Sequence, residues 1–393
     1  MKASAFVYPW DVVGDPAAAD RIAGLGVEQA TLAAAYHSTR ALTPRHPRHR
    51  IVTAEHTAVL YPPGDRWADR VLRPHVAGDW APGDAWGEAA GALAAAGLEV
   101  HTWVVLAHNS RLGAEHPHTS VVNAYGDRYP WAPCIAQPAV RAYLVDLAAE
   151  AAVRPGAHGT ELESLGWYGL RHLHAHDKTG GVALGDAGEY LMSLCFCPDC
   201  REGYGEHGLD ADKLAAVVRG ALEPVWRGAA DDGEGWSNVE RLLGADTAAA
   251  TLAWREHTAR TLQEDAVAAV RAAAPEGFQV LLHADPVSYH CGANAGVDAA
   301  HILSLADGVV VPCVGGTAVD GTARLAPFAA RAGLDTVLAA NLTIVSGLGG
   351  SPGTLAADAV RAQDAGATEL RLYHAGLASD GDLAAVREAL SGH

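Results

Sequence analysis

Short apolar runs alternate with longer stretches of helical spacing along the whole chain. Residues 5–8 (Ala-Phe-Val-Tyr) read as a buried strand closed by Pro9, and residues 16–25 as the helix behind it. A second apolar run, 30–36, ends in the polar His37-Ser38-Thr39-Arg40. Asp84 is placed to cap a helix over 85–96 that Gly97 stops. The spacing then predicts a strand at 101–106, and a helix over 138–153 with Pro138 in its first turn. A strand at 159–164 and a long helical pair over 211–274 follow. Four more apolar runs, at 278–283, 308–311, 335–340 and 369–373, are each preceded by a helical segment.

Eight strand-helix steps fit a closed (β/α)8 barrel, an α/β TIM barrel with extra helices between strands four and five, better than an open doubly wound sheet. The expectation is one domain over residues 1–393, with the extra helices between Asp210 and Leu243 lying over or beside the barrel mouth. No G-x-G-x-x-G follows the first strand, which argues against a dinucleotide fold, so no nucleotide cofactor is expected. The run 347–353 is glycine-rich but lacks the lysine of a phosphate-binding loop and reads as the loop after strand seven.

Composition narrows the partners. A formal charge of −18, from 28 basic against 46 acidic residues, repels nucleic-acid phosphates and anionic lipid and leaves a neutral ligand untroubled. No window approaches a membrane span, and residues 1–8 do not resemble a secretory signal. With no evenly spread disulfide framework among its six cysteines, the chain is expected in a reducing cytoplasm. Self-association is left open.

Barrel enzymes work at the carboxyl ends of their strands. Those ends supply Asp11, His37, His108, Asn109, Glu163, His283, Asp285, Cys313, Asn341, Tyr373 and His374, with Asp11, Glu163 and Asp285 the carboxylates. Glu161 and Glu163 fall on one face of one strand, about 6.6 Å apart by the strand rise, with Glu163 nearer the mouth. Hydrolysis of a glycosidic bond requires two carboxyl groups, one neutral and one charged, and Glu163 with Asp285 could supply them. Equally, Glu161 could make a structural hydrogen bond while Glu163 grips a substrate hydroxyl. Trp167 and Tyr168 directly after the acidic strand offer aromatic faces for a sugar ring, with Trp10, Tyr125 and Trp131 in comparable loops.

His172, His174 and His176 alternate before Asp177, and His116 with His118 repeats the spacing. No carboxylate stands with them at a familiar metal spacing, so substrate contacts are favoured over a metal. The substrate-binding set is therefore Asp11, His108, Asn109, Trp167, Tyr168, His172, His174, His283, Asn341, Tyr373 and His374. A second enzymatic reading places one divalent ion among His108, Glu163, His283 and Asp285 for sugar isomerisation, epimerisation or lyase chemistry. A third keeps carbohydrate binding without catalysis on the same scaffold.

The densest local signal is Cys195-Phe196-Cys197-Pro198-Asp199-Cys200. Cys197 and Cys200 have the C-x-x-C spacing of zinc ligands, Cys195 could add a third, and Cys134 is the candidate fourth. A redox pair or free buried thiols are the competing readings, and a redox pair would be expected at a helix N-terminus in a smaller thioredoxin-like unit.

The segment 195–201 with Tyr204 and Gly208 resembles the C-x-C-x-x-C-R segment of the trimer-forming β-galactosidases, where it holds structural zinc with an earlier cysteine. Residues 138–144 also resemble uncharacterised glycoside-hydrolase-like barrels related to that group. The resemblance implies a hydrolase of carbohydrate metabolism acting on a small sugar glycoside, structural zinc on Cys134, Cys195, Cys197 and Cys200, and an acid/base role for Glu163. Two departures accompany it. Leu162 precedes Glu163 where that family has asparagine, and Asn341 ends strand seven where it has its nucleophilic glutamate.

Overall fold

The computed structural model of the 393-residue chain describes residues 1–172, 177–229, 235–314 and 319–391. Eight parallel strands form its centre: β1 (Lys2–Val7), β2 (Gln29–Tyr36), β3 (Glu99–Val105), β4 (Gly159–Glu163), β5 (Gln279–Asp285), β6 (Gly308–Val314), β7 (Val337–Thr343) and β8 (Glu369–Tyr373). Each pairs with the next, and β8 pairs back onto β1 with Lys2 opposite Glu369 and Ala5 opposite Leu372. The sheet is therefore closed, as the eight-step pattern predicts. An open doubly wound sheet would instead leave two edge strands each unpaired on one side. β4 and β5 are neighbours, with Glu161 opposite Leu281.

Three strand ends lie further along than the apolar runs suggest, that of β6 reaching Val314. β5 extends to Asp285, and β7 begins at Val337 and ends at Thr343, which places Asn341 inside the strand. Polar residues stay in the ladder there because the neighbouring strands supply their backbone partners, a contribution that hydropathy does not register.

Alternation along each strand sorts side chains between the helix layer and the barrel axis. On β4, Leu162 joins the main core outside the barrel, whereas Glu161 and Glu163 face the axis with Trp103 of β3 and His283 of β5. The axis is stacked in layers. Leu281, Val310, Val337 and Ala339 form a separate apolar cluster. A polar layer is built from Ser4, Thr31, Glu161 and Arg371. Phe6 packs on Trp103 and His283, with ring centroids 4.7 and 5.8 Å apart.

The helix layer follows the predicted signals. Asp84 caps the helix Ala85–Ala95 by accepting from the Gly87 N–H at 3.0 Å. Pro138 opens the helix Pro138–Ala152, which packs along the 29-residue helix Ala245–Ala273. The predicted helical pair between β4 and β5 is more divided than its apolar pattern implies. It comprises Ala211–Trp226, Trp236–Leu243 and Ala245–Ala273, preceded by Gly185–Met192 and Pro198–Glu206. Gly244, at φ 81°, separates the last two.

These extra helices lie beside the mouth. Arg219 donates to the Ala124 carbonyl and Trp226 Nε1 to the Tyr125 hydroxyl, both at 2.7 Å, anchoring them on the hairpin Ser120–Val122/Arg128–Pro133 that follows β3. Over the mouth stands a hairpin that the apolar pattern does not reveal, Thr39–Leu42 paired with Ile51–Ala54. No helix among the described residues is long and apolar enough to cross a membrane.

Candidate functional site

A cavity of about 780 Å³ opens at the carboxyl ends of the strands. Glu163 stands on its wall at the end of β4. The chain turns left-handed immediately after it, at Ser164 (φ 57°), where the Ser164 N–H is held by the Ala293 carbonyl at 2.8 Å. Trp103 Nε1 donates to Glu163 Oε2 at 2.7 Å. An indole N–H can only donate, so Oε2 serves as an acceptor, which favours Oε1 as the site of a proton on the carboxyl. Burial raises the pKa of Glu163, the nearby His283 and the Trp103 bond oppose that rise, and the charge of Glu161 adds to it.

Glu161, one pleat deeper, has the opposite character. Burial disfavours its ionisation, but Arg371 and His283 outweigh burial and hold its pKa at about 2. Arg371 Nε lies 2.5 Å from Oε1, Thr31 donates to the same oxygen at 3.0 Å, and His283 Nε2 lies 3.3 Å from Oε2. An ionised carboxylate can only accept, so His283 Nε2 carries a hydrogen. The other ring nitrogen, Nδ1, stands 3.9 Å from Glu163 Oε2. His283 thus links an ionised floor carboxylate to a carboxyl whose pKa burial raises.

Three phenols stand beside Glu163. Tyr8 donates to the Tyr36 hydroxyl at 3.0 Å, and Tyr373 lines the same stretch of wall. Burial raises all three pKa values, so the hydroxyls remain neutral donors and acceptors. Imidazoles and a phenol continue the wall: His37 stacks on Tyr36, His108 lies 4.9 Å from His37, and Tyr168 stacks on His108 at 4.2 Å. Burial depresses His37 to about 4 and His108 to about 2, which keeps both rings uncharged at neutral pH. A wall of neutral hydrogen-bonding rings suits an uncharged polyol better than an anion.

The predicted site residues divide. Glu163, His108, Tyr168, His172, His283, Asn341 and Tyr373 all line this cavity, and the Asn341 Oδ1 is buried with no hydrogen-bond partner. Asp285 does not line it. Its Oδ2 lies 3.0 Å from His290 Nδ1 and its Oδ1 accepts the Val287 N–H at 2.9 Å, so the carboxylate is committed to its own loop. Asn109 instead caps the helix Ser110–Glu115 through the Leu112 N–H (2.9 Å). Trp167 donates to the Arg255 carbonyl at 3.0 Å within the core.

Asp11 and His374 stand behind the wall. Asp11 Oδ2 accepts the Tyr8 N–H at 2.8 Å, and the His374 ring stacks on Tyr8 at 4.2 Å, so both position the phenol rather than meet the cavity. His174 and His176 lie outside the described residues.

Trp103, Tyr8 and Tyr36 were not among the predicted site residues. The available signal was inward alternation: Trp103 shares its face of β3 with His101 and Val105. Asp382, in the helix Asp380–Ser391 after β8, is a second carboxylate on the cavity wall. Burial acts to raise its pKa, but hydrogen bonds from Ser346 Oγ (2.6 Å) and the Ser379 N–H (3.1 Å) lower it.

Away from the cavity, Cys134, Cys195, Cys197 and Cys200 gather with all four sulfurs within 4.8 Å of one another, and all are buried. Cys134 Sγ lies 3.6 Å from Cys197 Sγ and 3.5 Å from Cys200 Sγ. Four thiolates about 2.3 Å from a tetrahedral zinc would stand about 3.8 Å apart, so the cluster fits a structural metal. Cys197 does sit at a helix N-terminus, where a redox pair would be expected, but it belongs to a group of four. Interactions with Cys134, Cys195 and Cys200 lower the Cys197 pKa. No other group of three or more His, Cys, Asp or Glu side chains among the described residues converges this closely. His108, Glu163, His283 and Asp285 therefore do not form a ready ion site.

No protein-family model and no curated protein sequence matches the chain. Solved structures resemble it in fold. An α-L-fucosidase isoenzyme 2 from Paenibacillus thiaminolyticus superposes with TM-score 0.57 at 11% identity, over 100% of this chain and 49% of that one. The PgaB (BpsB) glycoside hydrolase domain from Bordetella bronchiseptica gives 0.55 at 15% identity over 99% of both chains. A GH42 β-galactosidase from G. stearothermophilus gives 0.53 at 11% identity, over 100% of this chain and 56% of that one. The chain thus spans about half the length of the fucosidase and the galactosidase. At these identities the likeness is one of fold.

Proposed function

We propose that this barrel processes a glycoside, with Glu163 as general acid. The observation that carries this reading is Glu163 itself, a carboxyl at the end of β4 whose pKa burial raises and whose Oε1 has no hydrogen-bond partner among the described residues. Such a group stays protonated at a pH where an ordinary glutamate has ionised, and it can protonate a leaving oxygen. Tyr8, Tyr36, Tyr373 and Asn341 would bind ring hydroxyls, and His108 and Tyr168 would stack against a sugar face. His172 would contact a substituent at the mouth.

Asp382 replaces Asp285 as the candidate counter-carboxylate, because it lines the cavity with Glu163 and Asp285 does not. The ion-dependent isomerase reading loses its support with the separation of its proposed ligands. On a panel of aryl glycosides, kcat/KM is expected to fall as pH rises through the raised Glu163 pKa, since the acid is active only while protonated. The midpoint of that alkaline limb should lie above about 4.3, the ordinary glutamate value. A rate that keeps rising through this range would remove Glu163 from the acid role.

The four cysteines are proposed to hold structural zinc, joining the hairpin after β3 to the helix Pro198–Glu206. The purified protein is expected to carry about one zinc per chain by elemental analysis, and Cys197→Ser to lose the zinc and melt at lower temperature. Metal-free protein, with a melting temperature that Cys197→Ser leaves unchanged, would refute the site.

A further inference from the structure

The mouth of the cavity is chemically divided. Over β2, β3 and β4 its wall is imidazole and phenol: His37, His108, Tyr168 and His172. Over β7, β8 and the hairpin, apolar side chains stand at the wall beside polar ones: Leu42 and Pro44 from the hairpin, Val345 and Leu348 after β7, and Leu377 after β8, with Arg40, Thr343 and Asp382 also on this side. Leu42 is 64% exposed and Leu348 57% exposed, yet both border the same cavity. Exposed leucines scattered singly are ordinary, whereas these two, from separate segments, line one opening.

The arc is held in place from behind. Arg45, in the turn of the hairpin, donates to the Ala375 carbonyl (2.6 Å), the Gly376 carbonyl (3.2 Å) and the Ala378 carbonyl. These bonds tie the hairpin to the loop that carries Leu377. A preformed apolar surface reduces the ordering cost of binding.

We infer that this arc is the subsite for an apolar aglycone, so that the substrate class is a glycoside carrying an alkyl or aryl group. The inference rests on the carbohydrate reading. It commits to this occupant because the arc is continuous with the cavity holding Glu163: a sugar placed among the tyrosines would direct its leaving group toward the mouth. There the apolar group would cover leucine surface that is otherwise exposed to water.

Two probes test it on the full-length protein, with circular dichroism confirming that Leu42→Ser/Leu348→Ser folds. The neutral dye N-phenyl-1-naphthylamine is expected to bind the wild type with enhanced fluorescence, and at least about tenfold more weakly to the double variant. Calorimetry with matched methyl and n-octyl β-D-galactosides, β-D-glucosides and α-L-fucosides is expected to favour the octyl member of a bound pair by about tenfold or more. In the double variant that ratio should move toward one. Failure to bind the dye, or equal affinity for both members of a bound pair in the wild type, overturns the apolar subsite and leaves the sugar reading standing. Dye binding lost in the double variant, with no glycoside of either kind bound, keeps the apolar site and overturns the sugar reading.

Discussion

Glu163→Gln is expected to lower glycoside turnover by about 10²- to 10⁴-fold, the range that a positioned general acid contributes. The substitution keeps the volume and the bond from Trp103, whose N–H can donate to the amide oxygen as it does to the carboxyl. What it removes is the transferable proton. The loss should fall on kcat more than on KM, and should be smallest for substrates whose leaving group departs without protonation.

Stability should change in the opposite direction. A carboxyl whose folded pKa is raised costs the native state increasingly as pH rises from the ordinary glutamate value through the raised one. Glutamine bears no such cost. Melting temperatures of the two proteins should therefore be similar below about pH 4.3, and the variant should become the more stable one as pH rises above it. Unchanged turnover in Glu163→Gln would reject the assignment, and a drop in activity accompanied by a melting temperature lower at every pH would mark Glu163 as a structural group.

Arg371→Met is expected to destabilise the fold by about 3–5 kcal/mol, because it leaves the Glu161 carboxylate buried and unpaired. Both side chains are fully buried, and Glu161 makes its shortest contact with the guanidinium. Arg371 also holds Glu369 at 2.7 Å. The double variant Glu161→Gln/Arg371→Met should recover part of the loss, since the fully buried Glu161 charge is then gone and only Glu369 lacks its partner. Urea unfolding of the three variants measures this. Equal stability of Arg371→Met and wild type would show that the pair contributes nothing.

The wild type should also weaken in acid. The depressed Glu161 pKa contributes stability that is present above the ordinary glutamate value of about 4.3 and is lost as pH falls toward about 2. Because Glu161 also meets His283, Arg371→Met should disturb the alkaline limb of the rate profile as well, linking the barrel floor to the acid above it.

Much of the barrel was legible before the structure. Each strand lies in a short apolar run because its outward residues, such as Leu162, must be buried under helices. The place of Glu163 was legible too, since a polar residue ending a buried strand has one exit, toward the mouth. The cysteine cluster could be anticipated from spacing for Cys197 and Cys200, which share a loop and a helix start, and the thiol of Cys134 does lie beside both.

The division of labour among the carboxylates was not legible. Asp285 and Glu163 look alike in sequence, each ending a strand, but His290 and the Val287 N–H take Asp285 for the loop. Nor did Asn109, Trp167, Asp11 or His374 announce that a cap, a core contact and the support of Tyr8 would claim them. These choices depend on partners made close by turns and by closure of the barrel, which local pattern does not encode.

The sequence by itself determined the alternation of strand and helix, hence the ring of eight strands and the end at which polar groups collect, because burial and backbone pairing act on local pattern. Only the tertiary structure decided which polar groups share one cavity and in which protonation state. A pKa depends on burial and on charges brought near by folding: Arg371, 210 residues from Glu161 in the chain, holds that glutamate ionised, while burial raises the pKa of Glu163.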